Sequence, residues 1–334
     1  MKHERSFRAR MVTEPNGAFH EVALPWPRPE AGEVLVRVHA SGVNPLDTKI
    51  RAGMADHARH PLPAVLGLDL AGIVEAVGDG VTGFEAGDQV YGMTGGVGGH
   101  QGSMAEFEVV DARLLAHKPR NITMREAAAL PLIVITAWEG LIDRAHAKAG
   151  QRVLVHGGAG GVGHIAVQLA RSLGAEVYAT VGKDQSEIVR SYGAFPIDYR
   201  AQTPEEYVRS CTGGEGFDVI YDTVGGPVLD AAFEAVRPYD GHVVSCLGWG
   251  THRLAPLSFR AATYSGVFTL MPILTGRRRA HHGRILELAA KLVEKGQLRA
   301  RVDPRTFDLA SAHEAHALVA GGRSDGKVVI DIHP

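Results

Sequence analysis

Cysteine is nearly absent from this sequence: Cys211 and Cys246 are the only two, far apart and outside any C-x-x-C pattern. That excludes a disulfide framework and a structural metal held by four thiolates. Long apolar runs are missing too. The longest, Ala127 to Trp138, is broken by Pro131 and falls short of the roughly 20 residues that cross a bilayer, so no membrane span is expected. The opening residues MKHERSFRARMVTEP are charged throughout and offer no apolar core for a secretion signal, which predicts a cytoplasmic protein. Nor does one sign of charge dominate. The 35 Lys and Arg are matched by 37 Asp and Glu, so no global field draws in nucleic acid or an anionic membrane. No repeat period and no low-complexity linker appear.

What is present is an ordinary globular balance, 45% hydrophobic and 22% charged, in 334 residues. Single cores rarely keep growing past roughly 250 residues, so two domains are expected. From residue 34 to about 117 the chain is a series of short β-rich runs (VLVRVHA, GIVEAVG, QVYGM, AEFEVV) broken by Gly, Pro and Asp, with few stretches long enough for a helix. Between about 128 and 268, strands alternate with helices, which calls for a parallel sheet with right-handed crossovers. Arg278 to Gln297 has apolar residues at helical spacing, and Arg277 to Arg279 reads as its solvated start. Residues 301 to 334 return to strand-like text ending KVVIDI. The chain therefore divides into a β-rich domain from 1–127 and 269–334, with a nucleotide-binding domain, 128–268, inserted into it.

The strongest local signal is RVLVHGGAGGVGHIAVQLARSLG, residues 152 to 174, where Gly158, Gly160 and Gly163 form G-x-G-x-x-G between a strand and a helix. With no Cβ at Gly158, Gly160 and Gly163, the segment Gly158-Ala159-Gly160-Gly161-Val162-Gly163 turns tightly and approaches a pyrophosphate. The amides and dipole of the helix start then bind the anion. A second glycine cluster, Gly92 to Gly102, is followed by a strand and not a helix, and reads as a flexible surface loop, the alternative being a loop beside the active cleft. At the end of the second strand, NAD sites place a carboxylate for the ribose 2′-hydroxyl. Here Val181 and Gly182 take that place and Lys183 follows, so a 2′-phosphate meets a cation and no repelling charge. That predicts NADPH over NADH; the alternative is that Lys183 is a solvated first-turn residue.

Several motifs in order, SGVNPLDTKIRAG (41 to 53), PAVLGLDLAGIVEAVGDGVTGFEAGDQVYG (63 to 92), AAALPLIVITAWEGL (127 to 141), VLVHGGAGGVGHIAVQLA (153 to 170), GAFPIDYR (193 to 200) and FDVIYDTVGG (217 to 226), carry a resemblance over nearly the whole length. The chain resembles the zinc-independent quinone oxidoreductase branch of the medium-chain dehydrogenase/reductase superfamily, the group that includes zeta-crystallin. The resemblance implies an α/β fold: a GroES-like β-rich catalytic domain plus a Rossmann doubly wound parallel-sheet nucleotide-binding domain, with a cleft between them. It further implies that Gly160, Gly161, Val162 and Gly163 hold the pyrophosphate, Lys183 and Tyr199 the 2′-phosphate side, and Asn44 and Thr136 the nicotinamide end. The turn Cys246-Leu247-Gly248 and a strand around Phe268 are implied to line that pocket. A homodimer pairing the last Rossmann strands near Val267 to Leu270 is the family expectation.

In the alcohol-dehydrogenase relatives two thiolates and an imidazole hold zinc. The corresponding positions here look like Asn44, Leu68 and Leu132, none of which replaces such a ligand. His57-x-x-His60 and His313-x-x-His316 lack a nearby acid or thiolate of suitable spacing. Without a metal, hydride passes to an already electron-poor acceptor, a quinone or the β-carbon of an enone, which the protein orients while donating hydrogen bonds to the developing oxyanion. Asn44, Lys49 and Thr136 are the candidate donors. Many relatives carry Tyr where this chain has Lys49, which leaves the proton donor open, and Asp47 is read as a loop-shaping or substrate-contacting residue. The expected activity is NADPH-dependent reduction of a small-molecule quinone. The alternatives are an alkenal, enone or enoyl reductase on the same scaffold, and a non-catalytic NADPH-binding protein.

Overall fold

The computed structural model describes residues 5–333. Strands come in the order β1 (Ser6–Val12), β2 (Phe19–Pro25), β3 (Glu33–Val43), β4 (Ala64–Val65), β5 (Asp69–Val77), β6 (Gln89–Met93), β7 (Phe107–Asp111), β8 (Leu115–His117), β9 (Arg152–His156), β10 (Glu176–Val181), β11 (Phe195–Asp198), β12 (Val219–Asp222), β13 (His242–Ser245), β14 (Thr263–Gly266), β15 (Phe307–Asp308) and β16 (Val328–Asp331). The helices are α1 (Pro45–Arg51), α2 (Met124–Ala128), α3 (Pro131–Trp138), α4 (Gly161–Ser172), α5 (Ser186–Ser191), α6 (Pro204–Thr212), α7 (Pro227–Ala235), α8 (Ala255–Phe259), α9 (Met271–Thr275), α10 (Arg279–Glu294) and α11 (Ala312–Ala320). The chain forms two compact units. One joins the residues up to Leu132 with the segment from Leu270 onward; the other is Ile133–Thr269. No helix among the described residues is long and apolar enough to cross a membrane.

The first unit is built on β3, whose run VLVRVHASGV is buried along most of its length. It pairs antiparallel with β5, β7 and β16, at the centre of a seven-stranded sheet ordered β15-β16-β3-β5-β6-β8. The pairing Val328↔Val43 places the last strand of the chain beside the strand that leads into α1. This is the β-rich, GroES-like half of the expected fold. The strand-rich reading of 34–117 overlooks α1. That helix starts because Pro45 takes the first helical position and the Asp47 carboxylate accepts the Asn44 backbone N–H at 2.8 Å.

Two expectations for this unit are corrected. The glycine cluster 92–102 is only in part a surface loop: Gly92 through Val97 and Gly102 are buried, and Gly98 to His100 are exposed. A Cβ at Gly95 would lie 1.8 Å from the Gln101 carbonyl oxygen, and one at Gly102 would lie 2.3 Å from the Leu66 carbonyl. Glycine serves close backbone approach there. The run Arg277 to Arg279 is not solvated throughout either. Arg279 is largely covered; it pairs with Asp111 at 2.9 Å and donates to the Ile273 carbonyl at 3.0 Å, which ties the start of α10 to β7.

The second unit is a six-stranded sheet, parallel throughout, ordered β11-β10-β9-β12-β13-β14. Strand order reverses between β9 and β12, and in such sheets ligands bind at the carboxyl ends of the strands beside that reversal. Its core is Leu154, Ile220 and Val243 from the strands against Tyr207, Leu229 and Phe233 from α6 and α7, with Phe217 between. This is the Rossmann half. Phe268 is not in a strand, which corrects another expectation. β14 ends at Gly266, so Val267 to Leu270 lie in the connection to α9, where Pro272 forbids further strand. The two edge strands of the sheet are therefore β14, Thr263–Gly266, and β11, Phe195–Asp198.

Candidate active site

Because all six strands of the second unit run the same way, the segments that follow them share one edge of the sheet. Those segments are Gly157–Gly160, Gly182–Lys183, Tyr199–Arg200, Thr223–Gly226, Cys246–Gly248 and Val267–Phe268. The glycine turn is the most constrained. Gly160 caps α4 and its amide donates to the Gly157 carbonyl at 2.8 Å. A Cβ at Gly163 would stand 2.0 Å from that same carbonyl oxygen, and one at Gly158 would stand 2.4 Å from the Ala179 Cβ. The turn is thus pressed onto β10 and onto its own helix. Gly160 and Gly161 are exposed, Val162 half-buried, Ala159 and Gly163 buried. Amides in the first turn of a helix have no intrahelical acceptor and sit at the positive end of its dipole, which leaves those of Gly161, Val162 and Gly163 available to an anion.

At the next strand end, Gly182 and exposed Lys183 follow β10. Tyr199 is exposed, and the guanidinium of Arg200 lies 5.2 Å from its ring centroid, a cation–π distance. A Cβ at Gly182 would lie 3.5 Å from Arg200 Nη1 and 2.6 Å from Asp184 Oδ1. The expectation of no repelling charge is therefore corrected: Asp184 brings a carboxylate to the same place, opposite a second cation. Sequence reasoning missed Arg200. Parallel register supplies the signal, since Val181 pairs with Asp198 and residues just beyond each must be neighbours.

Beyond the reversal, Asp222 organises the strand ends. It is fully buried, accepts from Ser245 Oγ at 2.7 Å and from the Gly225 amide at 3.1 Å. His156 Nδ1 lies 3.5 Å away, close enough for electrostatic contact but outside hydrogen-bond geometry. Burial pushes the Asp222 pKa up, but the contacts from His156 and Ser245 outweigh it and hold the carboxyl below its ordinary value. Ser245 Oγ in turn accepts the Leu247 amide at 3.0 Å, fixing the Cys246-Leu247-Gly248 turn. Burial, with Asp222 close by, pushes the Cys246 thiol up to about 12, so it is no nucleophile at neutral pH. Phe268 packs edge-on against Trp249, ring centroids 6.3 Å apart. Thr136 is buried, with its hydroxyl 2.9 Å from that of Thr269, and its carbonyl accepts from Tyr221 at 2.6 Å.

Asn44 and Lys49 belong to the first unit, Asn44 as the N-cap of α1 and Lys49 within it, yet their side chains have different surroundings. Lys49 is exposed; besides burial, its charge helps to lower the His57 pKa. Asn44 is buried in a polar cluster that sequence reasoning did not assemble. Its Nδ2 donates to Asp69 Oδ2 at 2.9 Å, and its Oδ1 accepts from the ammonium of Lys327. Lys327 also donates to the Val43 carbonyl at 3.2 Å and stands 3.9 Å from Asp69 Oδ2. Asp69 Oδ1 accepts the Leu132 amide at 2.9 Å. Asp47 accepts the Asn44 and Gly67 amides, a loop-shaping role. Burial pushes Asp69 up to about 6, against the pull of Lys327, and Asp47 up to about 7, with Asp69 adding to it; burial lowers Lys327. The available signal was a lone acid in GLDLAG and a lone cation leading the apolar run KVVIDI.

Residues 30–120 match the alcohol dehydrogenase GroES-like domain family and residues 193–330 the zinc-binding dehydrogenase family. A solved alcohol dehydrogenase superfamily protein from Novosphingobium aromaticivorans superposes with a TM-score of 0.96 at 55% identity, over 98% of this chain and 99% of that one. The chain is 35% identical to the 2-methylene-furan-3-one reductase of Solanum lycopersicum, over 90% of this chain and 72% of the relative. It is 32% identical to the chloroplast envelope quinone oxidoreductase homolog of Arabidopsis thaliana, over 93% of each. It also spans 14% of the length of the spectinabilin polyketide synthase system protein NorB of Streptomyces orinoci, at 36% identity. Zinc, which one matched family name implies, does not suit the residues at the positions that resemble its ligands. Asn44 has its amide committed to Asp69 and Lys327, Leu68 is a buried hydrocarbon, and Leu132 offers a backbone amide already bonded to Asp69. Among the described residues no group of three or more His, Cys, Asp or Glu is arranged to hold a metal ion.

Proposed function

The chain belongs to the medium-chain dehydrogenase/reductase superfamily, and from that premise we propose that it reduces a conjugated carbonyl acceptor, a quinone first of all, with NADPH. NADPH, when bound, would supply the hydride, from C4 of its dihydronicotinamide. The protein's part is to hold and orient. The turn Gly158-Ala159-Gly160-Gly161-Val162-Gly163 would take the pyrophosphate. Gly182, Lys183 and Tyr199, with Arg200, would take the 2′-phosphate side. Thr136, Asn44, Cys246, Leu247, Gly248 and Phe268 would serve the nicotinamide end. The observation that carries the cofactor reading is the Gly163 approach to Gly157, a backbone-only contact at the start of a twelve-residue helix that follows a parallel strand.

The acceptor reading rests on the candidate donors, Asn44 and Lys49 of the first unit and Thr136 of the second. A simple carbonyl needs a Lewis acid or a strong proton donor, whereas a quinone or enone is activated by its own conjugation. Reduction of such an acceptor would need a hydrogen-bond donor at the carbonyl oxygen that gains charge and one proton to complete the product. Asn44 Nδ2 would donate to that oxygen, as Thr136 would through its hydroxyl, and exposed Lys49 is the candidate for delivering the proton. The tomato relative, named for an exocyclic enone, favours enones as the second acceptor class. The test is oxidation of NADPH, with NADH in parallel, by metal-stripped protein against simple quinones, alkenals, enones and plain aldehydes. Turnover confined to the conjugated acceptors is expected; equal turnover of plain aldehydes would overturn the acceptor reading.

A further inference from the structure

We propose that Lys327 is a positioning residue: it locks the Asn44 carboxamide in one of its two orientations, so that nitrogen and not oxygen is presented to the acceptor. The inference rests on the reading of Asn44 as a donor to the acceptor oxygen. A carboxamide is almost symmetric in shape, so only its hydrogen-bond partners decide which end is which. Around Asn44 those partners are of opposite kinds. The Lys327 ammonium, which only donates, is on Oδ1; the Asp69 carboxylate, which only accepts when ionised, takes a hydrogen from Nδ2 at 2.9 Å. A flipped amide would set its NH2 against the ammonium and its oxygen against the carboxylate. Nothing in the cluster relieves that clash, because Asp69 Oδ1 holds the Leu132 amide and Asp47 holds the Asn44 and Gly67 amides.

The cation is out of place for a merely structural residue. Lys327 is 5% exposed and directly precedes β16, where its amide and the Val328↔Val43 pairing already fix the backbone. Burying an ammonium is costly unless its partners use it. Here it has three neighbours: the Val43 carbonyl, the Asn44 oxygen and Asp69. With Nδ2 giving one hydrogen to Asp69, its second hydrogen has no partner among the described residues, in a side chain 1% exposed. That hydrogen is the one the locked orientation offers.

The test is a double-mutant cycle on kcat with NADPH and a quinone, using Asn44→Ala, Lys327→Met and the pair. Asn44→Ala is expected to lower kcat about tenfold or more, Lys327→Met by a similar factor, and the pair by no more than either alone, with melting temperature and NADPH affinity followed separately. Lys327→Gln, which keeps a donor for Oδ1 without the charge, is expected to hold kcat within about threefold of the unsubstituted protein. Losses that multiply in the pair, an unchanged kcat in Lys327→Met, or a lost kcat in a well-folded Lys327→Gln would overturn the positioning role. An unchanged kcat in Asn44→Ala would instead overturn the donor reading on which it rests. If Lys327→Met does not fold, the Gln variant decides. A second readout needs no turnover: the Asn44 side-chain NH2 signal in an ¹⁵N-TROSY spectrum, identified by its loss in Asn44→Ala, should keep its position in Lys327→Gln and move in Lys327→Met. An unmoved signal in Lys327→Met would count against the lock.

Discussion

Removing Lys183 and Arg200 together should cost NADPH affinity and leave NADH affinity alone. Both side chains are exposed and flank Gly182 at the ends of β10 and β11, with Asp184 opposing them. A charge-assisted hydrogen bond is worth about 1.5–3 kcal/mol where shielded, and an exposed ion pair about 1 kcal/mol or less. Exposed cations facing a doubly charged phosphate fall near the lower end, about 1 to 1.4 kcal/mol each. The pair then gives about 2 to 3 kcal/mol, or about 30- to 100-fold in Kd at 1.4 kcal/mol per decade. The assay is titration of the cofactor's nicotinamide fluorescence for Lys183→Ala, Arg200→Ala and the double variant, at low and at roughly 0.5 M salt. The difference between the cofactors should shrink at high salt, where the screening length falls to a few ångströms. Asp184→Ala should move NADPH the other way, tightening it a few-fold by the same reasoning. Parallel weakening of NADPH and NADH, or no change in either, would refute the assignment of these cations to the 2′-phosphate.

Gly163→Ala puts a methyl 2.0 Å from the Gly157 carbonyl oxygen, so the turn must shift. It should weaken NADPH binding about 100-fold while costing about 1–3 kcal/mol in stability, the usual range for overpacking, as read by titration and thermal melting. Glu108 is buried, takes the Thr94 hydroxyl at 2.8 Å on Oε1 and, among the described residues, has no hydrogen-bond partner on Oε2; burial pushes its carboxyl up to about 8. Its folded pKa thus exceeds the unfolded value, so stability from this group is full below about 4.5 and is lost as pH rises toward about 8. Glu108→Gln should therefore melt higher than the unsubstituted protein at pH 8 and flatten the fall in melting temperature between pH 5 and pH 8; an unchanged pH profile would show the carboxyl to be ordinary.

The fold class was legible because it is written in periodicity. Alternating strands and helices around VLVHGGAGGVGHIAVQLA can only be a parallel sheet, and a parallel sheet gathers its loops on one edge. What stayed hidden depends on contacts between residues distant in sequence. The buried packing of Gly92 to Val97 and of Gly102 looks, in sequence, like a loop, because close approach and flexibility both ask for glycine. Arg200 needed the β10–β11 register, and Lys327 needed the pairing of β16 with β3, which spans most of the chain. The strand around Phe268 was implied by the resemblance, whereas here β14 stops at Gly266 and Pro272 opens the next helix. The Asn44 position was readable from a motif; its orientation was not.

Steady-state oxidation of NADPH and of NADH by metal-stripped protein, with one simple quinone as acceptor, tests the central claim most directly. The account predicts quinone-dependent turnover that survives chelation and favours NADPH by kcat/KM, with the preference lost in the Lys183→Ala, Arg200→Ala double variant. Turnover that appears only when zinc is restored, or that favours NADH, would contradict it.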